Sequence, residues 1–428
     1  MNEICEIIEL LLTANIYNKN KELEENDLPS DIRKHYWDNE EGSVKRPINV
    51  TIEDIRSIKG IDNPNQYLKS GATSTFVDFT DSYNKQLYIT TLDVATNWFS
   101  KQPAALDAIN KNPVLASYYE EQGREGASYA KAKSVTKSKE SQRIWVDSVI
   151  NKVLTGDNKE ELLSLVHIVA PEDVRTKLDG LVLSDVQKKK INKITKATEH
   201  LDYLKDIKLF EIGKILFVGP PGTGKTTTAR AMSERMNRTF VEVKLSMVAN
   251  QYLGETAKNI DKIFHIAKKL SPSILFIDEF DFIAKTRASD EHSALKRAVN
   301  TLLKAIDDIS LVDNDVLLIA ATNHPKLLDT AAWRRFDDVM KFPLPDRDMR
   351  KKILEIILGD VRGEFVTGYL ADLTEGYSGS DIRMVLREAV LDALCDDRKE
   401  LTQDDMLKAV ESFNERIATR VDEYETEL

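Results

Sequence analysis

The sequence predicts an α/β fold: a parallel five-stranded sheet with helices on both faces, followed by a small all-helical domain and preceded by a mixed α+β region. Three observations carry this expectation. Between residues 166 and 345, short apolar runs alternate with amphipathic helical patterns. The first strong apolar run, 215–218, opens into a glycine-rich turn and then a helix. Beyond Pro345 the strand-like runs stop. Alternating strands and helices require crossover connections, which give parallel strands covered on both faces.

Taken in order, 215–218, 240–245, 274–277, 316–321 and 339–342 read as strands. Between them Ile260, Ile263, Phe264 and Ala267 recur at helical spacing, as do Leu295, Val299, Leu302 and Leu303. In the last segment, 346–428, Ile382, Val385, Leu386, Ala389 and Ala393 mark one helix face, and Met406, Val410, Phe413 and Ile417 mark another. This segment is expected to be a helical lid ending in an acidic tail.

The N-terminal third is less orderly. Residues 1–125 are expected to form a mixed α+β domain, with a possible role in recognising clients or adaptors. Ile4, Ile7, Ile8 and Leu11 mark one face of an amphipathic helix. An acidic, polar stretch at 22–41 follows. Residues 76–80 and 87–92 read as two short strands around a turn at 81–84, and helical patterns are broken at Pro103 and Pro113. Residues 126–165 are expected to be a basic linker or extended helix, because Lys131, Lys133, Lys137, Lys139 and Arg143 face one acid, Glu140. No aromatics are interleaved in that run, which favours a solvated connector over a nucleic-acid patch.

Composition narrows the function classes. With 42% hydrophobic and 31% charged residues, the chain is a globular protein and not a disordered one. Its net charge of −11 makes it a poor default binder of nucleic acid. Cys5 and Cys395 are its two cysteines, so neither a disulfide framework nor a cysteine-rich zinc site fits, and a reducing compartment does. No apolar run approaches the roughly 18 residues of a membrane span. Glu3, Glu6 and Glu9 stand where a secretory leader would be basic, so the cytoplasm is the expected location.

The chemistry concentrates in Gly219-Pro220-Pro221-Gly222-Thr223-Gly224-Lys225-Thr226, which matches the phosphate-binding pattern G-x-x-x-x-G-K-[ST] between a strand and a helix. Glycines let the backbone curl until successive N–H groups point at phosphate oxygens, and the helix N-terminus adds its positive end. Lys225 is expected to reach the β- and γ-phosphates of ATP, and the Thr226 hydroxyl to ligate Mg²⁺; the nucleotide contacts are expected to run from Pro221 through Thr227. The apolar run 274–277 then delivers Asp278 and Glu279 to a strand's carboxyl end, where ligands of open α/β sheets sit. Asp278 is expected to hold Mg²⁺ and Glu279 to polarise the attacking water. Asn323, ending the run Ile319-Ala320-Ala321-Thr322, reads either as a strand-end cap or as a second group on that water.

The runs GPPGTGKT, ILFIDEFD, AATNHP, AAWRRFDDVMKFPLPD and TEGYSGSDI resemble, in order and spacing, the AAA family of ATPases, in the branch with katanin, spastin and the proteasomal ATPases. The resemblance runs from Val169 to Ile417. It implies an AAA+ module whose site lies between subunits of a hexameric ring. It also implies that Arg334 and Arg335 are paired arginine fingers entering a neighbour's site, where a guanidinium stabilises transition-state charge. Tyr252 and Leu253 fall where relatives carry the central pore loop that grips an extended polypeptide, with Lys285 to Arg287 near a second pore loop. Gly180 and Leu181, with Val182, resemble the segment that covers the adenine; Gly379 and Ser380 resemble the lid's contact with the nucleotide.

The sequence also departs from the family. Residues 353–357 carry no histidine where many relatives place one near the ribose. Ser380 stands where alanine is common. There is no HExxH for a fused zinc protease, and the tail 424–428 lacks a penultimate tyrosine for docking to a proteasome. The expected activity is ATP hydrolysis driving the remodelling of client proteins by a homohexamer. The alternatives are a nucleic-acid-associated motor and a nucleotide-switched scaffold.

Overall fold

The structure is a computed structural model that describes residues 2–68, 72–80, 86–154, 159–245, 256–281, 293–328 and 330–426. It divides into two compact units, Met1–Val153 and Leu154–Leu428.

In the first unit, helix α1 (Glu3–Lys19) is capped by Asn2, whose side chain accepts the Cys5 N–H. The apolar positions at 4, 7, 8 and 11 predicted a one-sided helix. Instead Cys5, Ile7, Ile8, Leu10, Leu11, Leu12, Ala14, Ile16 and Tyr17 are all buried, so α1 is the central element of this unit. The helices Leu92–Ser100, Pro113–Glu121, Pro64–Leu68 and Ile52–Lys59 and a small sheet enclose it. The unit has five short strands: β1 (Trp37–Asp38), β2 (Ser43–Val44), β3 (Val50–Thr51), β4 (Val77–Phe79) and β5 (Gln86–Ile89). The first two pair with each other, and β3-β5-β4 form an antiparallel sheet. The turn expected at 81–84 lies outside the described residues.

The segment expected as a basic linker contains the helices Tyr129–Val135 and Arg143–Val153, folded onto this same core. Ala132 is fully buried there, and Ile144 and Trp145 pack against the cluster. Two of its cations meet the acidic stretch of the chain, and a third pairs within its own helix. Lys133 pairs with Asp27, Lys139 with Glu25 at 2.7 Å, and Arg143 with Asp147 at 2.8 Å. Tyr129 also donates to Asp27 at 2.7 Å. The carboxyl of Asp27 lies below its ordinary range: burial raises it, but bonds from Lys133, Tyr129 and the Glu24 N–H outweigh burial.

The second unit carries a six-stranded sheet in the order β11-β7-β10-β9-β8-β6. Its strands are β6 (Val166–Val169), β7 (Lys214–Val218), β8 (Thr239–Lys244), β9 (Ser273–Asp278), β10 (Val316–Thr322) and β11 (Asp338–Lys341). The five strands read from the sequence are all present and parallel. The sixth, β6, adds antiparallel to β8 at the edge. It shows only two inward residues, Val166 and Ile168, too short a period to stand out in the sequence.

The central strand β10 is buried at every position, and β7 and β9 nearly so. Both faces are covered. On one, Ile215, Phe217, Phe276 and Ile319 pack with Ile191 of α2 (Asp185–Glu199) and with Ala229 and Met232 of α3 (Lys225–Arg235). On the other, Val243 and Ile277 meet Ile260, Ile263 and Phe264 of α4 (Thr256–Lys269) and Leu302 of α5 (Ser293–Asp308). The lid comprises α6 (Arg347–Leu358), α7 (Thr367–Leu373), α8 (Gly379–Cys395) and α9 (Gln403–Thr426) around Leu354, Leu370, Ile382, Val385 and Phe413.

Candidate nucleotide site

The site is built where β7 ends. Gly219 sits so close to the neighbouring strand's exit that a Cβ on it would lie 2.0 Å from the Phe342 carbonyl oxygen, so only glycine fits. Gly222 and Gly224 have φ of +74° and +92°, the left-handed turns that curl the loop. Helix α3 then starts at Lys225 with Gly224 as its N-cap. The Lys225 side chain is buried, and its Nζ donates to the carbonyls of Gly219 at 2.8 Å and Pro220 at 2.7 Å. Burial lowers the pKa of this ammonium, while Asp278 and Asp281 oppose the shift. Thr223 ties the loop by donating to the Pro220 carbonyl at 2.8 Å.

Asp278 ends β9 beside this loop. Burial raises its carboxyl above the ordinary carboxylate range, with Glu242 and Glu279 adding to the rise and the Glu279 N–H and Lys225 opposing it. Glu279 holds a φ of +54°, an uncommon conformation for a residue with a side chain. Two bonds hold it there: its N–H donates to Asp278 Oδ1 at 2.9 Å, and the next N–H, of Phe280, donates to the Ala321 carbonyl at 2.9 Å. Such strain persists only where the surroundings over-determine it, and it concentrates at functional sites.

A cavity of about 890 Å³ opens over the loop. Gly180, Leu181, the residues from Pro221 to Thr227, Asp278, Asn323, Gly379 and Ser380 all line it. So do Val182 and, from the stretch where the sequence lacks a histidine, Ile353, Ile356 and Ile357, which make the lining apolar there. The lid reaches the loop directly, because the Ser380 N–H donates to the Gly222 carbonyl at 3.1 Å.

The structure adds residues that the sequence reading missed. His167, Arg175, Arg230 and Arg383 line the same cavity. Arg230 pairs with the buried Glu242, and His167 Nδ1 lies 3.5 Å from the same carboxylate. Arg230 stands five residues past Lys225, little more than one helical turn and thus close to the loop, which is a signal the sequence offered. His167 depends on the edge strand β6 and had none.

Glu279, Arg334 and Arg335 are not among the lining residues. The two arginines also differ from each other. Arg335 is held within the chain by the carbonyls of Leu303 at 3.2 Å and of Ala331, and by Asp307 at 3.0 Å. Arg334 is exposed, and its guanidinium has no partner among the described residues. Tyr252, Leu253 and Lys285 to Arg287 lie outside the described residues.

Residues 215–344 match the model of the ATPase family associated with various cellular activities (AAA), and residues 365–408 match the AAA+ lid domain. The uncharacterised AAA family ATPase y4kL of Sinorhizobium fredii is 35% identical over 260 residues, covering 60% of this chain and 77% of that one. The chain belongs to the AAA family of ATPases. It binds nucleotide and hydrolyses ATP. The proteasome-activating nucleotidase of Pyrococcus abyssi is 36% identical to this AAA ATPase, over 54% of this chain and 61% of that protein. The nucleotidase of Saccharolobus solfataricus is 38% identical over 47% and 52%. The chain thus spans only about half to three fifths of these two nucleotidases. The crystal structure of the FIGL-1 AAA domain shares the fold, with a TM-score of 0.51 and 24% identity over 64% of this chain and 97% of that one. The same domain in complex with ADP gives a TM-score of 0.51 at 25% identity, over 61% and 92%.

Proposed function

We propose that this AAA ATPase is the subunit of a cytoplasmic homohexameric ring that uses ATP hydrolysis to unfold or remodel client proteins. The observation that carries the proposal is a single cavity that joins the phosphate loop, Asp278, Asn323 and the lid's Gly379 and Ser380. A nucleotide in it touches both the sheet domain and the lid, so loss of its terminal phosphate changes the contacts between two movable parts.

In this reading the loop N–H groups and Lys225 hold the phosphates. A hard divalent cation fits the donor set, because the Thr226 hydroxyl and the Asp278 carboxylate line one cavity. Mg²⁺ bound there would neutralise phosphate charge. Glu279 takes a proton from the attacking water, and Asn323 orients that water. Arg334 is exposed and unpartnered among the described residues, as a finger for a neighbouring subunit requires. Tyr252 and Leu253 grip the client, and the N-terminal unit selects it.

The pairing of Lys133, Lys139 and Arg143 with acids of their own unit speaks against a nucleic-acid motor, because those charges are already neutralised. Two free cysteines, Cys5 and Cys395, fit a reducing compartment. Among the described residues no helix is long and apolar enough to cross a membrane.

The test is Glu279→Gln, which keeps the side chain's size and one acceptor oxygen but removes the base. The variant should bind ATP, turn it over at least about 100-fold more slowly, and retain discrete proteins in cells that Tyr252→Ala releases. Recovery of nucleic acid, or of proteins indifferent to Tyr252, would overturn the remodelling proposal.

A further inference from the structure

Just beyond the carboxyl ends of the central strands, a buried pair of side chains joins the turn that carries Glu279 to the turn that carries Asn323. β9 and β10 are parallel neighbours with Ile277 opposite Ala320. Past this register the ladder continues irregularly, with the Phe280 N–H donating to the Ala321 carbonyl at 2.9 Å. The next link is made by side chains: the Thr322 hydroxyl donates to Asp281 Oδ1 at 3.1 Å. The same hydroxyl accepts the His324 N–H at 3.0 Å, so it uses its donor and its acceptor at once. The Thr322 carbonyl accepts the Gly219 N–H at 3.3 Å, which brings the first residue of the phosphate loop to the same point. Thr322 is 1% exposed and Asp281 is 5% exposed.

We infer that Asp281 and Thr322 are positioning residues for ATP hydrolysis, a buried couple that fixes Asn323 relative to Glu279 and the phosphate loop. This rests on the roles proposed above for Glu279 and Asn323. Strand formation and burial would be served equally well by valine at 322, which has the same shape and a higher strand preference. A hydroxyl there is useful only for its two hydrogen bonds. Those bonds reach both sides of Asn323: one holds the following residue's backbone, the other the carboxylate two residues beyond Glu279. The bond to Asp281 is closed inside the core, so the turn cannot break it without leaving a buried polar group unpaired. An orienting amide demands that constancy, because a 1 Å misplacement costs up to about 100-fold in rate.

Thr322→Val and Thr322→Ser in the full chain separate positioning from mere packing. Thr322→Val should lower kcat for ATP by about 10- to 30-fold, while KM and the affinity for ADP stay within about threefold. Thr322→Ser, which keeps the hydroxyl, should recover most of the loss. In the Glu279→Gln background Thr322→Val should add no further loss, since the group being positioned for is gone. If Thr322→Val does not fold, Thr322→Ala takes its place under the same criteria. The inference is overturned by a kcat within twofold of the parent, by a serine variant no better than valine, or by losses that multiply in the Glu279→Gln background. A Glu279→Gln protein with parental turnover would instead sink the underlying assignment. An inactive Glu279→Gln beside a normal Thr322→Val sinks only the positioning couple.

Discussion

Gly222→Ala tests how tightly the lid is seated on the phosphate loop. Gly222 has φ of +74°, and a Cβ built there lies 2.0 Å from Ser380 Oγ, 2.4 Å from Ser378 Oγ and 3.1 Å from Ser380 Cβ. An L-residue in the left-handed region costs about 1–2 kcal/mol. The two hydroxyls, 3.0 Å apart, must also leave. Ser378 caps α8 by accepting the Asp381 N–H, and losing a cap costs about 1 kcal/mol. Together the binding-competent arrangement loses about 2–3 kcal/mol, or about 30- to 150-fold in nucleotide affinity at 1.4 kcal/mol per tenfold. Titration with a fluorescent ADP analogue reads this directly. Adding Ser380→Gly removes two of the three close contacts and should restore about three- to tenfold, while the backbone cost remains. Affinity within twofold of the parent for Gly222→Ala would refute the reasoning, because neither the left-handed turn nor the serine contacts would then matter to the bound state.

Further predictions concern charge. Burial holds Asp278 above and Lys225 below their ordinary values, and catalysis needs the carboxylate and the ammonium. The pH profile of kcat/KM should therefore fall on its acid side above the usual carboxylate range and on its alkaline side below the usual lysine range. For stability the signs reverse. Asp278 with a raised folded pKa favours the folded state as pH falls through the window between its unfolded and folded values, and Lys225 favours it as pH rises through its own window. Asp278→Asn should remove the acid-side contribution in a thermal-unfolding series. The arginines should separate by stability: Arg335→Ala loses bonds to the end of α5 and should lower Tm by about 3–8 °C, whereas Arg334→Ala should leave Tm unchanged and abolish turnover. Mixing Arg334→Ala with Glu279→Gln subunits should restore about a quarter of parental activity, since head-to-tail contacts in a ring pair an intact site with an intact arginine at that frequency. A mixture as inactive as its parts would exclude a finger acting between subunits.

The strands and the phosphate loop were legible in the sequence because their requirements are local. A buried parallel strand needs an apolar run, and a loop that curls around phosphate needs glycines where φ is positive, as at Gly222 and Gly224. Asp278 was legible for the same reason, as the first polar residue after such a run. The sequence by itself therefore determined five of the six strands, the lid, the family and part of the cavity's lining. Tertiary structure decided how that inventory is arranged. It seated Ser378 and Ser380 against Gly222, held Glu279 in a left-handed turn, joined Thr322 to Asp281, and tied Arg335 down while leaving Arg334 exposed. It also buried α1 at the centre of its unit and paired three cations of the basic run with Glu25, Asp27 and Asp147. Most of these arrangements depend on which surface meets which across long stretches of chain, and the left-handed turn at Glu279 is held by the neighbouring strand's carbonyl. Residue spacing carries no record of such contacts.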